Sequence, residues 1–521
     1  MLPPRAGLTP WTAALLLVGG LTLVRLITVF GTALELYPDE AQYWLWSREL
    51  AWGYYSKPPM IAWWIAATTA IGGDGEPWVR LGAVVAHAIA PLLLFAAGRR
   101  LYSGWTGFWA AALYSLMPGV QLSAAVMTTD ALMLLFLSGA AWAYAVWLGA
   151  EERRTALTAA VALGAALGLA VLSKYAGLYF AGGLLLHAMI DGPARARWTG
   201  PSMLAAVGGA ALVLSPNLLW NVRHGFATVA HTADNAQWSG RLFNPGEALQ
   251  FVGEQLGVFG PLPFLVLLGG VGLAAARPSV RRALPSADTA LLCLVLTPLV
   301  LVGIQAFISR ANANWAAAAY APGSILTAAW LVRNAGRLWA RLCLGGAALS
   351  QAALTACFVA AALSPVAASA LGLDNGLKRA RGWKATSDAL VVAAEAEPWT
   401  AVTTDDRFLF NAAAYYGRGF WSRADAPPLR MWVRETQAQN QAETEAPLRP
   451  AEADRVLHAS LTPEYAPEAA RDFRRWRPLG VVRARLDAER VRETQLFEGR
   501  GWARAPRDPA TGRPYARPIA P

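Results

Sequence analysis

The chain has 521 residues, of which 55% are hydrophobic and only 15% are charged. Soluble globular proteins carry about a quarter charged residues, so this composition excludes an ordinary water-soluble enzyme. The 23 tryptophans are typical of a membrane protein with aromatic belts. The net charge of +11 does not indicate nucleic-acid binding, because the arginines mostly stand between apolar runs. The three cysteines lie in apolar segments and indicate no disulfide framework.

Apolar runs long enough to cross a bilayer occur along most of the chain. The first, residues 11–30, is longer than a signal-peptide core and has no convincing cleavage site, so we predict an uncleaved span. The run 59–71 is too short to cross about 30 Å and predicts an interfacial helix. Ten further spans bring the predicted total to eleven, at residues 78–97, 105–125, 131–148, 155–173, 175–190, 199–219, 249–275, 288–307, 315–332 and 340–363.

The positions of the arginines predict the orientation of these spans. Arginine clusters lie in alternate short loops, at residues 99–100, 153–154, 195–197, 277–282 and 333–341. By the positive-inside rule these loops and the N-terminus are cytoplasmic. An odd number of spans then places the C-terminus on the outer side of the membrane.

The composition changes after residue 363. Residues 364–502 are rich in Arg, Glu, Asp and Pro, and short β-rich and helix-like segments alternate along them, which predicts a small α/β domain on the outer face. The prolines of residues 503–521 predict a disordered tail. The predicted organisation is therefore a membrane part, 1–363, with a first outward loop at 31–77, followed by this domain and the tail.

The first outward loop contains two adjacent carboxylates, Asp39 and Glu40. Carboxylates directly beyond a membrane span are costly to desolvate, which favours a functional site. The simpler interpretation is a helix start, because Pro38 and the two acids are typical of a first helical turn. Five tryptophans in the same loop would either anchor it at the interface or line an entrance for a lipid-borne ligand.

Lys57 lies in the same loop, within the stretch Tyr54-Tyr55-Ser56-Lys57-Pro58-Pro59. The two prolines stiffen the turn, so the ammonium is presented at a defined place. Such a lysine either pairs with lipid headgroups or binds a phosphate as a point charge. Tyr54 and Tyr55 precede it as candidate substrate contacts.

Later connections predicted on the same side carry further polar residues. Asp130 would either cap the fourth span or serve a site there. Lys174 occupies a very short connection, where it would either snorkel or lie against the bundle. Two longer loops offer amide, imidazole and guanidinium groups suited to sugar hydroxyls or phosphate, namely Asn221, His224, Arg310 and Asn314.

Three polar residues lie inside or at the edge of apolar runs. Arg25 is predicted to snorkel towards one end of its span or to face the site. His87 and His187 are isolated among apolar residues, and we predict structural roles for both.

Several short motifs follow one another in a distinctive order: Pro38-Asp39-Glu40, Lys57-Pro58-Pro59, Thr129-Asp130, Ser173-Lys174, Trp220-Asn221 with His224-Gly225, and Asn314-Trp315. This order resembles the bacterial glycosyltransferase family 39/83 group, the relatives of protein O-mannosyltransferases and of the aminoarabinose and galacturonic acid transferases that modify lipid A. The resemblance covers roughly residues 10–363. It implies an α-helical polytopic membrane protein with the GT-C fold, about eleven transmembrane helices and a small C-terminal periplasmic α/β domain.

The resemblance also implies an activity. A sugar would pass from a polyprenyl-phosphate carrier to a periplasmic acceptor (lipid A, a glycan or a protein) at the bacterial inner membrane, with inversion of the anomeric centre. Asp39 would be the catalytic base with Glu40 beside it, and Asp130 would be the second functional aspartate. Lys57 would meet the donor phosphate.

Other residues would support this chemistry. Lys174 or Arg310 would assist Lys57 at the phosphate. The positive charge of Lys57 makes a cofactor unnecessary. The acidic pair together with Asp130 would nevertheless also suit Mg²⁺ or Mn²⁺. Ser56 stands where relatives that transfer aminoarabinose tend to have a carboxylate, so the sugar stays open.

The competing interpretation is a transporter or flippase of a lipid-linked or anionic substrate. Transporters place ionisable residues near the membrane midplane, often on broken helices within repeated halves. The candidate residues lie instead at the predicted outer boundary, and no repeat is evident, which favours the transferase.

Overall fold

The computed structural model describes residues 8–236, 238 and 242–515. The chain divides into two compact units. The helical unit is formed by residues up to Gly31 and by Lys57–Ala360, and the C-terminal unit is formed by Thr32–Ser56 and by residues from Ala361 onward. More than half of the predicted loop 31–77 therefore belongs with the C-terminal unit, although it precedes that unit by about 300 residues in sequence.

The helical unit consists of α-helices joined by short connections. Their bounds are Pro10–Gly31, Met60–Gly72, Glu76–Leu101, Gly104–Leu116, Pro118–Ala125, Thr129–Leu148, Arg153–Ser173, Leu178–Ile190, Gly192–Arg197, Gly200–Arg223, Ala227–Asp234, Pro245–Phe259, Pro261–Ala276, Pro278–Arg282, Ser286–Ile308, Tyr320–Arg333 and Leu338–Leu363. Two 3-10 helices, Tyr175–Gly177 and Ala313–Ala319, lie between them.

Eight helical segments in the described part of the chain are long and apolar enough to cross a membrane. The chain is thus a multi-pass membrane protein, as predicted. These eight segments correspond to the predicted spans 11–30, 78–97, 131–148, 155–173, 199–219, 288–307, 315–332 and 340–363.

The other three predicted spans are not single long helices. The run 105–125 is interrupted between Leu116 and Pro118, and the run 249–275 is interrupted at Gly260, whose φ is +98°. Proline has no backbone N–H and disfavours a helical conformation in the preceding residue, so each interruption falls directly before a proline. The run 175–190 begins with a 3-10 helix, which leaves only 13 residues for the α-helix Leu178–Ile190. These three predicted spans are therefore not among the eight segments that are long and apolar enough to cross a membrane.

Glycines allow two of the spanning helices to approach each other closely. A Cβ atom added at Gly164 would lie 1.8 Å from the carbonyl oxygen of Ala206, and one added at Gly209 would lie 2.6 Å from that of Val161. Small residues at such crossings let helix backbones touch, which is the usual way of packing helices in lipid. The crossing fixes the helix Arg153–Ser173, and Lys174 directly follows its C-terminal end.

Arg25 is buried inside the helical unit, with only 5% of its surface exposed. Its guanidinium donates to the carbonyl oxygens of His87, at 3.0 Å, and of Ser115, at 2.7 Å. Pro91 has no N–H for the first carbonyl, and the helix Gly104–Leu116 ends too early to satisfy the second. Arg25 therefore supplies hydrogen bonds that the backbone cannot make, and the prediction that it snorkels is wrong.

The histidines within apolar runs are hydrogen-bonded. His87 lies between the Tyr114 hydroxyl, 3.0 Å from Nδ1, and the Ser123 hydroxyl, 3.1 Å from Nε2. His187 Nδ1 lies 2.6 Å from the Tyr144 hydroxyl. Both residues have no exposed surface, in agreement with the structural roles predicted for them.

The C-terminal unit contains a five-stranded sheet. Its strands are β1 (Ala401–Thr404), β2 (Leu429–Met431), β3 (Arg455–Ser460), β4 (Phe473–Arg485) and β5 (Val491–Trp502), in the spatial order β2-β1-β3-β5-β4. β1 is parallel to β2 and β3, whereas β5 is antiparallel to β3 and β4. Helices of this unit are Pro38–Arg48, Pro365–Ala370, Asp374–Leu377, Trp383–Glu395, Arg407–Tyr416, Arg418–Trp421, Gln441–Glu445 and Ala466–Ala470, with 3-10 helices Lys378–Ala380 and Pro450–Glu452. The predicted α/β domain is confirmed.

Three arginines surround one buried carboxylate on the sheet. Glu498 on β5 is 3% exposed and forms ion pairs with Arg455 at 2.8 Å, Arg477 at 2.6 Å and Arg500 at 2.7 Å. Hydrogen bonds from Arg455 and then from the other two arginines lower the pKa of Glu498 to about 2, against the opposing effect of desolvation. The cluster connects β3, β4 and β5 through charged side chains as well as through the backbone.

Residues 503–515 pack against the C-terminal unit. Arg507 forms a 2.7 Å ion pair with Asp472, and the N–H groups of Ala503 and Ala505 donate to the backbone and side chain of the same aspartate. The prediction of a disordered tail is wrong for residues 503–515, because a buried carboxylate binds them. Residues 516–521 of that predicted tail lie outside the described part.

Candidate functional site

Asp130 lies in the first turn of the helix Thr129–Leu148 in the helical unit. Its Oδ1 accepts a 2.7 Å hydrogen bond from Lys174 Nζ, and its Oδ2 accepts a 2.8 Å hydrogen bond from Asn314 Nδ2. The side chains of Asp130 and Lys174 are 11% and 18% exposed. The structure thus brings together three predicted site residues from three separate segments.

Each of the three residues lies where a helix begins or ends. Lys174 follows the last residue of the helix Arg153–Ser173 in an extended conformation, with φ −158° and ψ 132°. Asn314 is in the 3-10 helix Ala313–Ala319, before the helix Tyr320–Arg333. Interruptions of this kind let polar side chains converge without breaking the hydrogen bonds of a membrane-spanning helix.

The contacts of this cluster leave hydrogen-bonding capacity for a ligand. A lysine ammonium has three N–H donors, and Lys174 gives one of them to Asp130. The remaining donors carry positive charge and are partly accessible, which suits an oxygen of a phosphate group. Asp130 accepts one bond on each oxygen, which holds the lysine and the amide of Asn314 in place.

The other predicted residues of the helical unit are placed differently. Asn221 is 2% exposed and donates to the Asn217 carbonyl at 3.0 Å and to the Tyr175 hydroxyl at 3.4 Å, so it contacts the residue after Lys174. His224 is exposed, stacks on Trp220 with ring centroids 4.1 Å apart and contacts the Trp220 carbonyl. Its contacts are therefore local ones on a helix end.

Two further predicted phosphate contacts differ in burial. Arg310 is exposed, and in the described part of the chain its guanidinium has no hydrogen bond to Asp130, Lys174 or Asn314. Lys57 is half-buried and precedes two buried prolines and the helix Met60–Gly72. A role for either residue at a phosphate stays a prediction.

The adjacent acids Asp39 and Glu40 belong to the C-terminal unit and have different environments. Glu40 is fully buried, and its Oε2 accepts a 2.8 Å hydrogen bond from the Tyr37 N–H at the start of the helix Pro38–Arg48. The side chain of Asp39 is 37% exposed, and its Oδ1 lies 3.9 Å from Nη2 of Arg407. The helix-start interpretation therefore applies to Glu40, while Asp39 is the accessible carboxylate.

Tyr54 and Tyr55 contact their own unit. Tyr54 is 2% exposed; its hydroxyl donates to the Trp46 and Glu49 carbonyls, and its ring stacks on Trp46 with centroids 4.6 Å apart. Burial raises the pKa of this phenol to about 12. Tyr55 donates its hydroxyl to the Ala438 carbonyl. These contacts show that the two tyrosines hold the loop in place; a contact of either tyrosine with substrate stays a prediction.

Within residues 8–236, 238 and 242–515, no three His, Cys, Asp or Glu side chains have the arrangement that could hold an ion. Each acid has partners within its own unit: Glu40 accepts a backbone bond at a helix start, and Asp130 accepts bonds from a lysine and an amide.

Arg407 is the residue beside Asp39 that the sequence analysis missed. It begins the helix Arg407–Tyr416, and its Nη1 donates to Gln42 Oε1 at 3.3 Å across 365 residues of sequence. A second arginine, Arg379, donates to the Tyr37 hydroxyl at 2.9 Å and interacts electrostatically with Asp39. Neither arginine lies in a motif, so no local pattern indicated them.

Comparisons with known proteins match a family model and a relative in sequence, and a solved structure in fold. Residues 56–220 match the dolichyl-phosphate-mannose-protein mannosyltransferase family. The chain is 39% identical over 335 residues to the lipid A galacturonosyltransferase RgtD of Rhizobium johnstonii, an alignment that covers 63% of this chain and 66% of that protein. It is similar in structure to ArnT from Cupriavidus metallidurans in the apo state, with a TM-score of 0.61, 16% identity, and coverage of 93% of this chain and 97% of that one. The chain belongs to the GT-C glycosyltransferase family.

The GT-C fold is thereby confirmed over both units. A second structure of ArnT, bound to undecaprenyl phosphate, matches with a TM-score of 0.59 over the same share of each chain. The segment of this GT-C protein that matches the mannosyltransferase family includes Lys57, Asp130 and Lys174. Asp39 and Asn314 lie outside that segment, and the alignment with RgtD leaves about a third of RgtD unmatched.

Proposed function

We propose that this GT-C protein transfers a sugar from a polyprenyl-phosphate donor to an acceptor of the bacterial cell envelope. The observation that carries the proposal is the cluster in which Asp130 is bonded to Lys174 and Asn314, because it presents a partly accessible ammonium at the ends of membrane-spanning helices. The likeness to ArnT bound to undecaprenyl phosphate supports a lipid-phosphate donor. The identity to RgtD supports lipid A as the acceptor and a galacturonosyl group as the sugar.

The reaction in this proposal is a single displacement. An acceptor hydroxyl oxygen bonds to the anomeric carbon, and the bond from that carbon to the phosphate oxygen breaks. The electron pair leaves with the polyprenyl phosphate, and the hydroxyl proton passes to a base. Attack opposite the leaving group inverts the anomeric centre.

Asp39 is the proposed base. Its carboxylate is accessible, whereas the neighbouring Glu40 is fully buried and accepts a backbone hydrogen bond. A positioned general base contributes about 10²–10⁴-fold to a rate. Glu40 then acts by fixing the helix turn on which Asp39 stands.

Lysines are the proposed partners of the departing phosphate. Lys57 and Lys174 would offset the negative charge that develops as the sugar leaves. Asp130 and Asn314 are positioning residues in this scheme, since they hold Lys174 by hydrogen bonds. Asn221 would act through Tyr175, next to that lysine.

The proposed location is the bacterial inner membrane, with the N-terminus in the cytoplasm and the C-terminal unit in the periplasm. The arginine clusters in alternate connections support this orientation. A glycan or a protein is an alternative acceptor on the same side, and membrane lipids surround the helical unit.

The proposal is tested with the full chain in proteoliposomes, radiolabelled galacturonosyl polyprenyl phosphate and lipid A. We expect label to appear covalently in lipid A, and Asp39→Asn to lower the rate at least 100-fold while the protein remains folded. Movement of intact donor across the bilayer with no covalent product would instead support the transporter or flippase, and an unchanged rate in Asp39→Asn would remove this residue as the base.

A further inference from the structure

A small cleft lies in the C-terminal unit, beside the helix Pro38–Arg48, and Gln42 of that helix lines it. We call it the amide cleft and define it by Gln42, Trp46, Arg407, Asn411, Asn440 and Gln441, which line it. Its cavity volume is about 20 Å³. A cavity of this size accommodates a water molecule or one small polar group rather than a whole sugar ring.

Two amides of the cleft are nearly buried and incompletely bonded. Asn411 is 2% exposed and Gln42 is 5% exposed. In the described part of the chain the Asn411 side chain has no hydrogen-bond partner, and Gln42 uses only its Oε1, which accepts from Arg407. The unbonded amide atoms are not fully enclosed and both residues line the cleft, so these amides can bond a ligand atom there.

Arg407 adds positive charge with unused donors. Its Nη1 donates to Gln42, and its Nη2 lies 3.9 Å from Asp39 Oδ1, which is too long for a hydrogen bond. The guanidinium stands over the Phe408 ring at 4.7 Å, which holds its plane in one orientation. An arginine has five N–H donors in a fork that matches the two oxygens of a carboxylate.

The remaining polar groups of the wall are already occupied. Asn440 accepts from the Glu443 N–H at 3.0 Å and donates to the Glu443 carboxylate at 2.9 Å. Gln441 accepts from the Tyr55 N–H at 2.7 Å and donates to Glu445. Glu445 also lines the cleft, and burial raises the pKa of its carboxyl group.

We propose that the amide cleft binds the carboxylate of a sugar acid, with Arg407 pairing to it and Gln42 and Asn411 donating from their amides. The inference rests on the proposed function and extends it to the recognition of the sugar. The cleft suits a carboxylate, because Arg407 supplies a charge with unused N–H donors, the amide nitrogens of Gln42 and Asn411 are unbonded, and the volume admits one small group. Because Arg407 also approaches Asp39, binding there sets the sugar beside that carboxylate.

The carboxylate has two candidate sources, the sugar of the donor and an acidic sugar of the acceptor. The experiment separates them with two donors, a uronosyl polyprenyl phosphate and a matched neutral hexosyl polyprenyl phosphate. Each donor is tested with an acceptor that carries an acidic sugar and with a neutral acceptor. Arg407→Gln in the full chain in nanodiscs is compared with Arg379→Gln. The second variant removes an arginine that also interacts with Asp39 but does not line the cleft.

We expect Arg407→Gln to lower kcat/KM at least 10-fold for the substrate that carries the carboxylate and less than threefold for its neutral counterpart. Arg379→Gln should change charged and neutral substrates equally. Asn411→Asp, which places a negative charge in the cleft, should repeat the selective loss. A selective loss with the uronosyl donor assigns the cleft to the donor, and one with the acidic acceptor assigns it to the acceptor.

Equal losses with charged and neutral substrates in Arg407→Gln, or the same selectivity change in Arg379→Gln, would overturn the inference. A direct binding measurement separates this result from failure of the proposed function. Free galacturonate should bind the wild type more tightly than galactose, and Arg407→Gln should abolish the difference. A wild type without transferase activity refutes the proposed function alone, whereas a wild type that binds both sugars equally refutes the cleft.

Discussion

Lys174 donates a 2.7 Å hydrogen bond to Asp130 across 44 residues of sequence, between the end of one membrane-spanning helix and the start of another. The pair is partly buried, so bulk water screens it less than a surface ion pair. Removing one partner leaves the other with an uncompensated charge, which makes the pair a sensitive point for mutation.

The first prediction concerns this pair. Asp130→Asn should lower the transfer rate about 10–100-fold, because the neutral amide no longer holds the ammonium of Lys174 by a charge-assisted bond. Lys174→Met should lower it at least as much, and the double variant should lose less than the product of the two single losses. Rates are measured with saturating donor.

The matched control for that cycle is the exposed pair Lys384–Asp388. Their side chains are 65% and 56% exposed and lie 3.1 Å apart. Exposed ion pairs contribute about 0–1 kcal/mol to the free energy of unfolding, and this pair is not part of the proposed site. Lys384→Met and Asp388→Asn should therefore leave the transfer rate unchanged. Additive losses in the first pair would contradict a functional coupling between Asp130 and Lys174.

The second prediction separates the two neighbouring acids. Glu40→Ala should destabilise the protein by about 1–2 kcal/mol, since it removes the acceptor for the Tyr37 N–H at a buried helix start. Asp39→Asn should reduce kcat about 10²–10⁴-fold with little change in thermal unfolding. Two measurements distinguish the variants: kcat, and thermal unfolding monitored by tryptophan fluorescence. If Glu40→Ala lowered kcat and Asp39→Asn lowered stability, the roles of the two acids would be exchanged.

The third prediction concerns pH and the C-terminal unit. The pKa of Glu498 is lowered to about 2, so its ionised form contributes stability above the unfolded-state pKa of about 4.3. That contribution is lost as the pH falls from about 4.3 towards 2. Glu498→Gln should destabilise the unit by about 1–3 kcal/mol at pH 7, because three arginines lose their charged acceptor.

The measurement for Glu498 is thermal unfolding at pH 7, 4 and 3. The wild type should lose stability over this range more steeply than Glu498→Gln, which no longer titrates at that position. Parallel pH profiles for the two proteins would show that the arginines do not act through this carboxylate.

The fourth prediction concerns Arg25. Arg25→Met should destabilise the helical unit by at least about 2 kcal/mol, because the His87 carbonyl oxygen loses its donor in a water-free interior and the Ser115 carbonyl oxygen keeps only its bond from Gln121. Unfolding by SDS from mixed micelles gives the free energy. Arg341, which is exposed, provides the control, and Arg341→Met should lie within about 0.5 kcal/mol of the wild type.

The fifth prediction concerns metals. The proposed mechanism meets the phosphate charge with Lys57 and Lys174 rather than with a divalent ion, so EDTA should leave the transfer rate unchanged. Loss of activity in EDTA with recovery on addition of Mg²⁺ or Mn²⁺ would favour the metal alternative raised by the acidic pair and Asp130.

The cluster around Asp130 could be predicted because its members lie at the ends of spans. Hydropathy locates those ends, and the positive-inside rule places Asp130, Lys174 and Asn314 on one side of the membrane. What the sequence did not provide was the direct bonding among them, which depends on how helix ends meet in three dimensions.

The C-terminal unit was predictable only in outline. Arg407 contacts Gln42 across 365 residues, and no local pattern of charge or hydrophobicity indicates such a distant pairing. The interruptions before Pro118 and Pro261 were missed because hydropathy averages over a proline within an apolar run. Tyr54 was a candidate substrate contact because it precedes Lys57 in the sequence, whereas its hydroxyl satisfies backbone carbonyls.

Arg25 has a consequence for biogenesis. Its two acceptors, on His87 and Ser115, lie 62 and 90 residues further along the chain, so the ribosome makes them well after the first helix. Protein synthesis proceeds at about 5–20 residues per second, so the second acceptor is made on the order of 5–20 s after Arg25. During that interval the guanidinium lacks one or both acceptors, so the hydrogen bonds that hold it in the folded protein form only after the later helices have been made.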